Sequence, residues 1–126
     1  MTRSPAPIPI YTTKGIAEAF LAYPMIYSPQ GEWIGWVTPQ REVYSVHGEY
    51  VGWLTNEPRI LRKRTHPFDK PKLTPPPAPP ARMLAPATVP LAPLMAELAY
   101  DVIDVLHDAP DLLPTLDTGD ARLDMD

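Results

Sequence analysis

The chain has 126 residues, 19 of them proline, six glycine and none cysteine, with a formal net charge of −4 at pH 7. The absence of cysteine excludes disulfide scaffolds, thiolate zinc sites, iron–sulfur clusters and cysteine nucleophiles, and no run approaches the roughly 18 apolar residues of a membrane-spanning helix. Eleven of the prolines fall between Pro58 and Pro93, which denies that third of the chain regular helix or sheet and leaves the core chiefly to residues 8–64. The opening Met1-Thr2-Arg3-Ser4-Pro5 has no apolar h-region, so no secretory signal is expected and cytoplasmic residence is the default.

The first half of the chain repeats itself. Residues 26–37, Ile-Tyr-Ser-Pro-Gln-Gly-Glu-Trp-Ile-Gly-Trp-Val, align without gaps on residues 43–54, Val-Tyr-Ser-Val-His-Gly-Glu-Tyr-Val-Gly-Trp-Leu, at a period of 17. A degenerate copy over residues 10–21 keeps Tyr11, Gly15 and the triplet Ala19-Phe20-Leu21. The unit is apolar-Tyr-x-x-x-Gly-x-x-x-(Gly/Ala)-aromatic-aliphatic.

Each unit reads as a β-hairpin. Ser28-Pro29-Gln30-Gly31 suits a type I turn followed by a left-handed glycine, the common bulged hairpin connection. Ser45-Val46-His47-Gly48 and Thr12-Thr13-Lys14-Gly15 fit the same frame. The flanking Val, Ile, Tyr and Trp favour strands, and Gly35 and Gly52 would interrupt any helix. Strict alternation places Trp33, Gly35 and Val37 on one face and Ile34 with Trp36 on the other, so both faces are apolar. Small repeated hairpins bury two such faces only by packing against one another in a ring or stack.

With Tyr11, Gly15, Tyr27, Gly31, Gly35, Tyr44, Gly48 and Gly52 in place, residues 8–64 resemble the four-fold β-flower family of small bacterial proteins. The resemblance implies a mainly β fold, a pseudo-symmetric ring or funnel of hairpin petals, and carries no biochemical activity with it. The expected β domain spans residues 8–66, with units at about 10–21, 26–37 and 43–54. A fourth unit should start near Ile60-Leu61, but Thr65 stands where its turn glycine belongs. That petal is expected to be truncated to 59–64, or completed by the N-terminal segment or another chain.

Residues 67–92 read as a Pro-rich extended linker. Pro75-Pro76-Pro77-Ala78-Pro79-Pro80 predicts polyproline II, either as a semi-rigid spacer or as a ligand for an aromatic-lined groove, in a partner or in the protein's own tryptophans. Beyond it, Leu94, Met95, Leu98, Val102, Val105 and Leu106 recur at helical spacing, with Glu97, Asp101, Asp104 and Asp108 on the other side. An amphipathic acidic helix over 93–108 is the expectation, either packed on its own β domain or tethered by the linker and inserted into a partner's groove through Leu94, Leu98, Val102 and Val105. Residues 109–126 read as a flexible acidic tail that retains Leu112, Leu113 and Leu116 as candidate anchors.

Charge is segregated: six cations against Asp69 give +5 over residues 59–72, while residues 97–126 sum to −8. The two blocks are expected to attract each other. Arg59, Arg62, Lys63 and Arg64 form a candidate basic patch for single-stranded nucleic acid beside exposed aromatics, although the acidic tail would repel phosphates. Trp33, Trp36, Tyr50 and Trp53 form a candidate aromatic surface or ligand box. His47, His66 and His107 lack metal-ligand spacing, and no nucleophile elbow or phosphate-binding glycine loop is present. The sequence therefore points to a non-enzymatic module without metal or cofactor, acting on a protein partner or by self-association.

Overall fold

A computed structural model describes residues 6–65 and 70–116. Its framework is one eight-stranded antiparallel sheet in simple meander order. The strands are β1 (Ile8–Tyr11), β2 (Ala17–Ala22), β3 (Met25–Tyr27), β4 (Trp33–Val37), β5 (Glu42–Ser45), β6 (Tyr50–Leu54), β7 (Ile60–Lys63) and β8 (Val102–Asp104). A single helical turn, α1 (Val105–Asp108), and a 3-10 turn over Pro110–Leu112 follow.

The repeat determines the geometry of the petals. In the first three hairpins the amides of Gly15, Gly31 and Gly48 donate to the carbonyls of Thr12, Ser28 and Ser45, each at 2.9 Å. These glycines hold φ of +85°, +87° and +84°, the left-handed conformation that closes a type I turn into a bulged hairpin. The ladder slips at the same place in all three, at Ile10/Tyr11, Ile26/Tyr27 and Val43/Tyr44. Tyr27 lies opposite Trp33 while Ile26 lies opposite Gly35, so Ile34 is the extra residue of a β-bulge.

That bulge corrects the expected faces. It breaks the two-residue alternation, so Ile34 and Val37 both enter the core while Trp33 and Trp36 stay half-buried outside it. Val51 and Leu54 repeat the arrangement 17 residues on. The centre of the fold is a set of register-equivalent residues, Ile10, Ile26, Val43 and Ile60, one from the first strand of each petal and each 0% exposed. Burying an aliphatic side chain of this size contributes about 1.5–3 kcal/mol.

The sheet curls until the first petal meets the fourth, where the Tyr11 amide donates to the Pro58 carbonyl at 3.0 Å. The fourth petal is completed within the chain, not by the N-terminal segment or another copy. Its second strand is β8, paired antiparallel with β7 through Leu61↔Asp104, Arg62↔Ile103 and Lys63↔Val102. The polar edge of β7 requires a partner, and the C-terminal segment supplies one.

This also corrects the expected helix over 93–108. Residues 93–99 have no regular secondary structure, 102–104 are strand and only Val105–Asp108 is helical. Leu94 is fully exposed, Leu98 is half-buried, Val102 lies on β8, and Val105 and Leu106 plug the core. Residues 109–116 of the expected tail are described, and one of its candidate anchors is in place. Leu113 is buried in the core against Gly35, and residues 117–126 lie outside the described residues.

Candidate functional site

The most distinctive surface is built from the Pro-rich segment, expected to be a spacer but found as a strap on the petal tips. The Leu73 amide donates to the Gly48 carbonyl at 2.9 Å, and the Met83 amide to the Gly31 carbonyl at 3.0 Å. The Tyr11 hydroxyl donates to the Pro90 carbonyl at 2.7 Å, and the Ala92 β-carbon packs against Gly15. The strap thus visits the third, second and first petals in turn, then returns along the fourth as β8. A β-carbon on Gly31 would collide with the Met83 carbonyl, and one on Gly48 with the Leu73 carbonyl. The turn glycines therefore serve twice, for their left-handed φ and for backbone approach.

Side chains add to each attachment. Glu49 and Glu32, the residues after two of these glycines, pair with Lys72 at 3.9 Å and Arg82 at 3.2 Å. Both pairs are solvent-exposed, which limits each to about 0–1 kcal/mol. The sequence signal was present and unread: Lys72-Leu73 and Arg82-Met83 are basic–apolar dipeptides ten residues apart.

Burial along the strap follows a period of three. Met83, Pro86, Ala92, Met95 and Leu98 are half-buried and Val89 is 40% exposed, whereas Leu84, Leu91 and Leu94 are 88%, 96% and 100% exposed. Three residues per turn is the polyproline II repeat, so one edge of the strap faces the petals and two face water.

Between strap and second petal lies a cavity of about 240 Å³, walled by Trp33, Pro79, Pro80 and Leu116 and bordered by the Glu32–Arg82 pair. Trp33 donates its indole N–H to the Gly35 carbonyl at 2.7 Å, which fixes its ring. Of the three tryptophans expected to supply an aromatic-lined groove for the chain's own prolines, only Trp33 lines this cavity.

The other candidate aromatics are elsewhere. Trp36 stacks on Tyr44 with centroids 5.2 Å apart, and Tyr44 meets Tyr50 edge-on at 5.7 Å. The Lys70 ammonium sits 5.1 Å from the Tyr50 ring centre and pairs with Glu42. The chain's own lysine thus occupies the cation position of this cluster. Burial pushes the Tyr44 phenol above its ordinary value, with Glu42 adding to the effect. It also raises Tyr50, against the opposing charge of Lys70. Trp53 stands apart, in register with Leu61 and Glu42. The four residues expected to form one box are divided among separate environments.

The basic run is spent on the fold. Arg59 and Arg62 are 2% and 8% exposed. Arg59 pairs with Glu57 at 3.0 Å and donates to the Thr13 hydroxyl and the Ala96 carbonyl at 3.1 Å. These bonds hold the Glu57 carboxyl below the usual range, the Arg59 hydrogen bond being the largest cause. Arg62 donates to the carbonyls of Tyr50 and Val51. Lys63 pairs with Asp101 at 3.2 Å and Arg64 donates to the Tyr100 carbonyl, so the attraction between basic and acidic blocks operates within the molecule.

Among the described residues no group of three or more His, Asp or Glu could hold a metal ion, and no helix is long and apolar enough to cross a membrane. His47 and His107 are exposed in separate parts of the molecule, and His66 lies outside the described residues.

A curled ring of bulged hairpins with a strap across its tips defines the class of fold, and a comparison with family models agrees. The model of the 4-fold beta flower protein matches residues 8–98, and the chain belongs to that family. The match takes in the strap and stops before β8. No curated protein and no solved structure matches.

Proposed function

We propose that the protein is a non-enzymatic interaction module in which the petal ring is a rigid scaffold and the outer side of the strap meets a protein partner. The observation that carries this reading is the exposure of Leu84, Leu91, Leu94 and Tyr100, each 88–100% accessible on a segment anchored to the scaffold. Isolated exposed apolar residues are ordinary, but four large ones within 17 residues, on a backbone whose ordering is already complete, favour docking. This replaces the tethered helix expected from the sequence.

The test compares capture from nuclease-treated source-cell extract by the wild-type chain and a Leu84→Asp, Leu91→Asp, Leu94→Asp, Tyr100→Asp variant. Loss of a specific protein by the folded variant supports the reading, and undiminished capture removes it. Nuclease-sensitive capture would favour the nucleic-acid reading, for which the internal use of Arg59 and Arg62 leaves few cations.

The Trp33 cavity supports a second reading, binding of a small apolar ligand between an indole and two prolines. Titration of tryptophan fluorescence in the wild type and in Trp33→Phe checks it. Ligand-dependent quenching confined to the wild type is the expected result.

A further inference from the structure

Within the strap, Pro90-Leu91-Ala92-Pro93-Leu94 has a property that neither the exposure count nor the repeat explains. It contains the same dipeptide twice, Pro90-Leu91 and Pro93-Leu94, spaced by three residues, one turn of polyproline II. The residue between them, Ala92, is the inward one and rests on Gly15. All four residues of the two dipeptides are exposed, with Leu91 at 96% and Leu94 at 100%. The carbonyl of Pro90 is held by the Tyr11 hydroxyl at 2.7 Å, so the segment is fixed at the first petal through its backbone and the side chains of both dipeptides stay free.

We propose that Pro90–Leu94 is a preformed polyproline II ligand for a partner protein whose groove is lined with aromatic side chains and has two adjacent pockets, one per Pro-Leu dipeptide. The inference rests on the interaction-module reading and names the partner's chemistry. Extended proline helices are read in this way because they lose little backbone freedom on binding and present flat rings and aliphatic side chains to aromatic walls. Here the scaffold removes most of the remaining freedom. Glu97, one turn beyond Leu94 on the same edge, is exposed, so the groove should end in a lysine or arginine. The repeated dipeptide on the outward edges distinguishes this segment from Pro75–Pro80, where Pro76 and Pro79 face the petals.

The test uses the full chain in source cells with a photo-crosslinker, Leu91→p-benzoylphenylalanine or Leu94→p-benzoylphenylalanine. A parallel chain carries the same group at Tyr23, an exposed site on the β2–β3 connection rather than on the strap. The purified adduct partner is then challenged with a peptide of residues 84–97 and with the same peptide carrying Pro90→Gly and Pro93→Gly. The expected result is one partner cross-linked from Leu91 and Leu94, displaced by the native peptide at a concentration at least tenfold lower than by the glycine peptide. Equal competition by the two peptides, or none, overturns the proposal, because the leucines alone would then account for the contact or the contact would lie elsewhere. Cross-links only from Tyr23 overturn both this proposal and the strap as the docking side, whereas equal competition overturns this proposal alone. No cross-link from any position removes both.

Discussion

Asp104 and Thr13, 91 residues apart in sequence, meet where the ring closes: Asp104 Oδ2 accepts from the Thr13 amide at 2.5 Å and from its hydroxyl at 2.7 Å. Thr13 also accepts from Arg59 at 3.1 Å, so the first petal's turn, β7 and β8 are joined by one polar chain. The other oxygen of Asp104, Oδ1, is buried without a hydrogen-bond partner. Bonds to a carboxylate contribute about 1.5–3 kcal/mol each and are only partly additive. Asp104→Ala is expected to lower stability by about 2–4 kcal/mol in urea unfolding. Asp104→Asn keeps one acceptor and removes the buried charge, so it should cost less than half as much. An equal cost for the two would show that charge, not the acceptor, holds the closure.

The strap is held by backbone more than by charge. Raising salt to about 1 M screens pairs such as Lys72–Glu49 and Arg82–Glu32 almost fully. Hydrogen-exchange protection of the Leu73 and Met83 amides should nevertheless fall less than threefold. Met83→Pro removes the donor to Gly31 and should release the neighbouring strap to limited proteolysis, whereas Arg82→Ala should shift the midpoint by less than about 1 kcal/mol.

Two glycines should fail differently. Gly52→Ala puts a β-carbon into the Leu61 carbonyl, between β6 and β7, and should destabilise the whole domain cooperatively. Gly31→Ala adds a left-handed alanine, costing about 1 kcal/mol or more, and displaces the Met83 carbonyl. Its main signature should be faster exchange at Met83 while the core amides remain slow.

Acid and alkaline limits have separate origins. The Glu57 carboxyl lies below its usual value in the fold, so the stability it contributes is present above the unfolded value near 4.5 and is lost as pH falls through the folded one. Glu57→Gln should flatten the acid arm of a stability–pH profile. The phenols of Tyr27, Tyr44 and Tyr50 are raised by burial, so their contribution is complete below pH 10.0 and is lost as pH rises through their folded values. Tyr44→Phe should reduce the alkaline loss and leave the acid arm unchanged.

The petals were legible because their signals are local. A turn glycine, a tyrosine four residues before it and a period of 17 specify each hairpin without knowledge of the rest. The faces were less legible, since a bulge at Ile34 is invisible to an alternation count. The strap was misread because two periods are close: Met95 and Leu98 fit a helical stripe with Leu94 and Val102, yet they continue the three-residue spacing that begins at Met83. Helical spacing sets Asp104 opposite the apolar stripe, although only its contact with Thr13, across nearly the whole chain, explains its burial. The basic run illustrates the same limit, because charge density in sequence does not reveal that Arg59 and Arg62 are consumed by closure.

Between the end of the family match at residue 98 and the core residue Leu113 lies the piece that completes the fourth petal. A chain cut at residue 98 would retain every repeat and nearly all of the strap but leave the outer backbone groups of Ile60–Lys63 bare, with Val105, Leu106 and Leu113 missing from the core. Such an edge is a template for another chain's strand. The shortened protein should therefore multimerise through β7, and the last descriptive boundary of the repeat would be a poor place to end an expressed fragment.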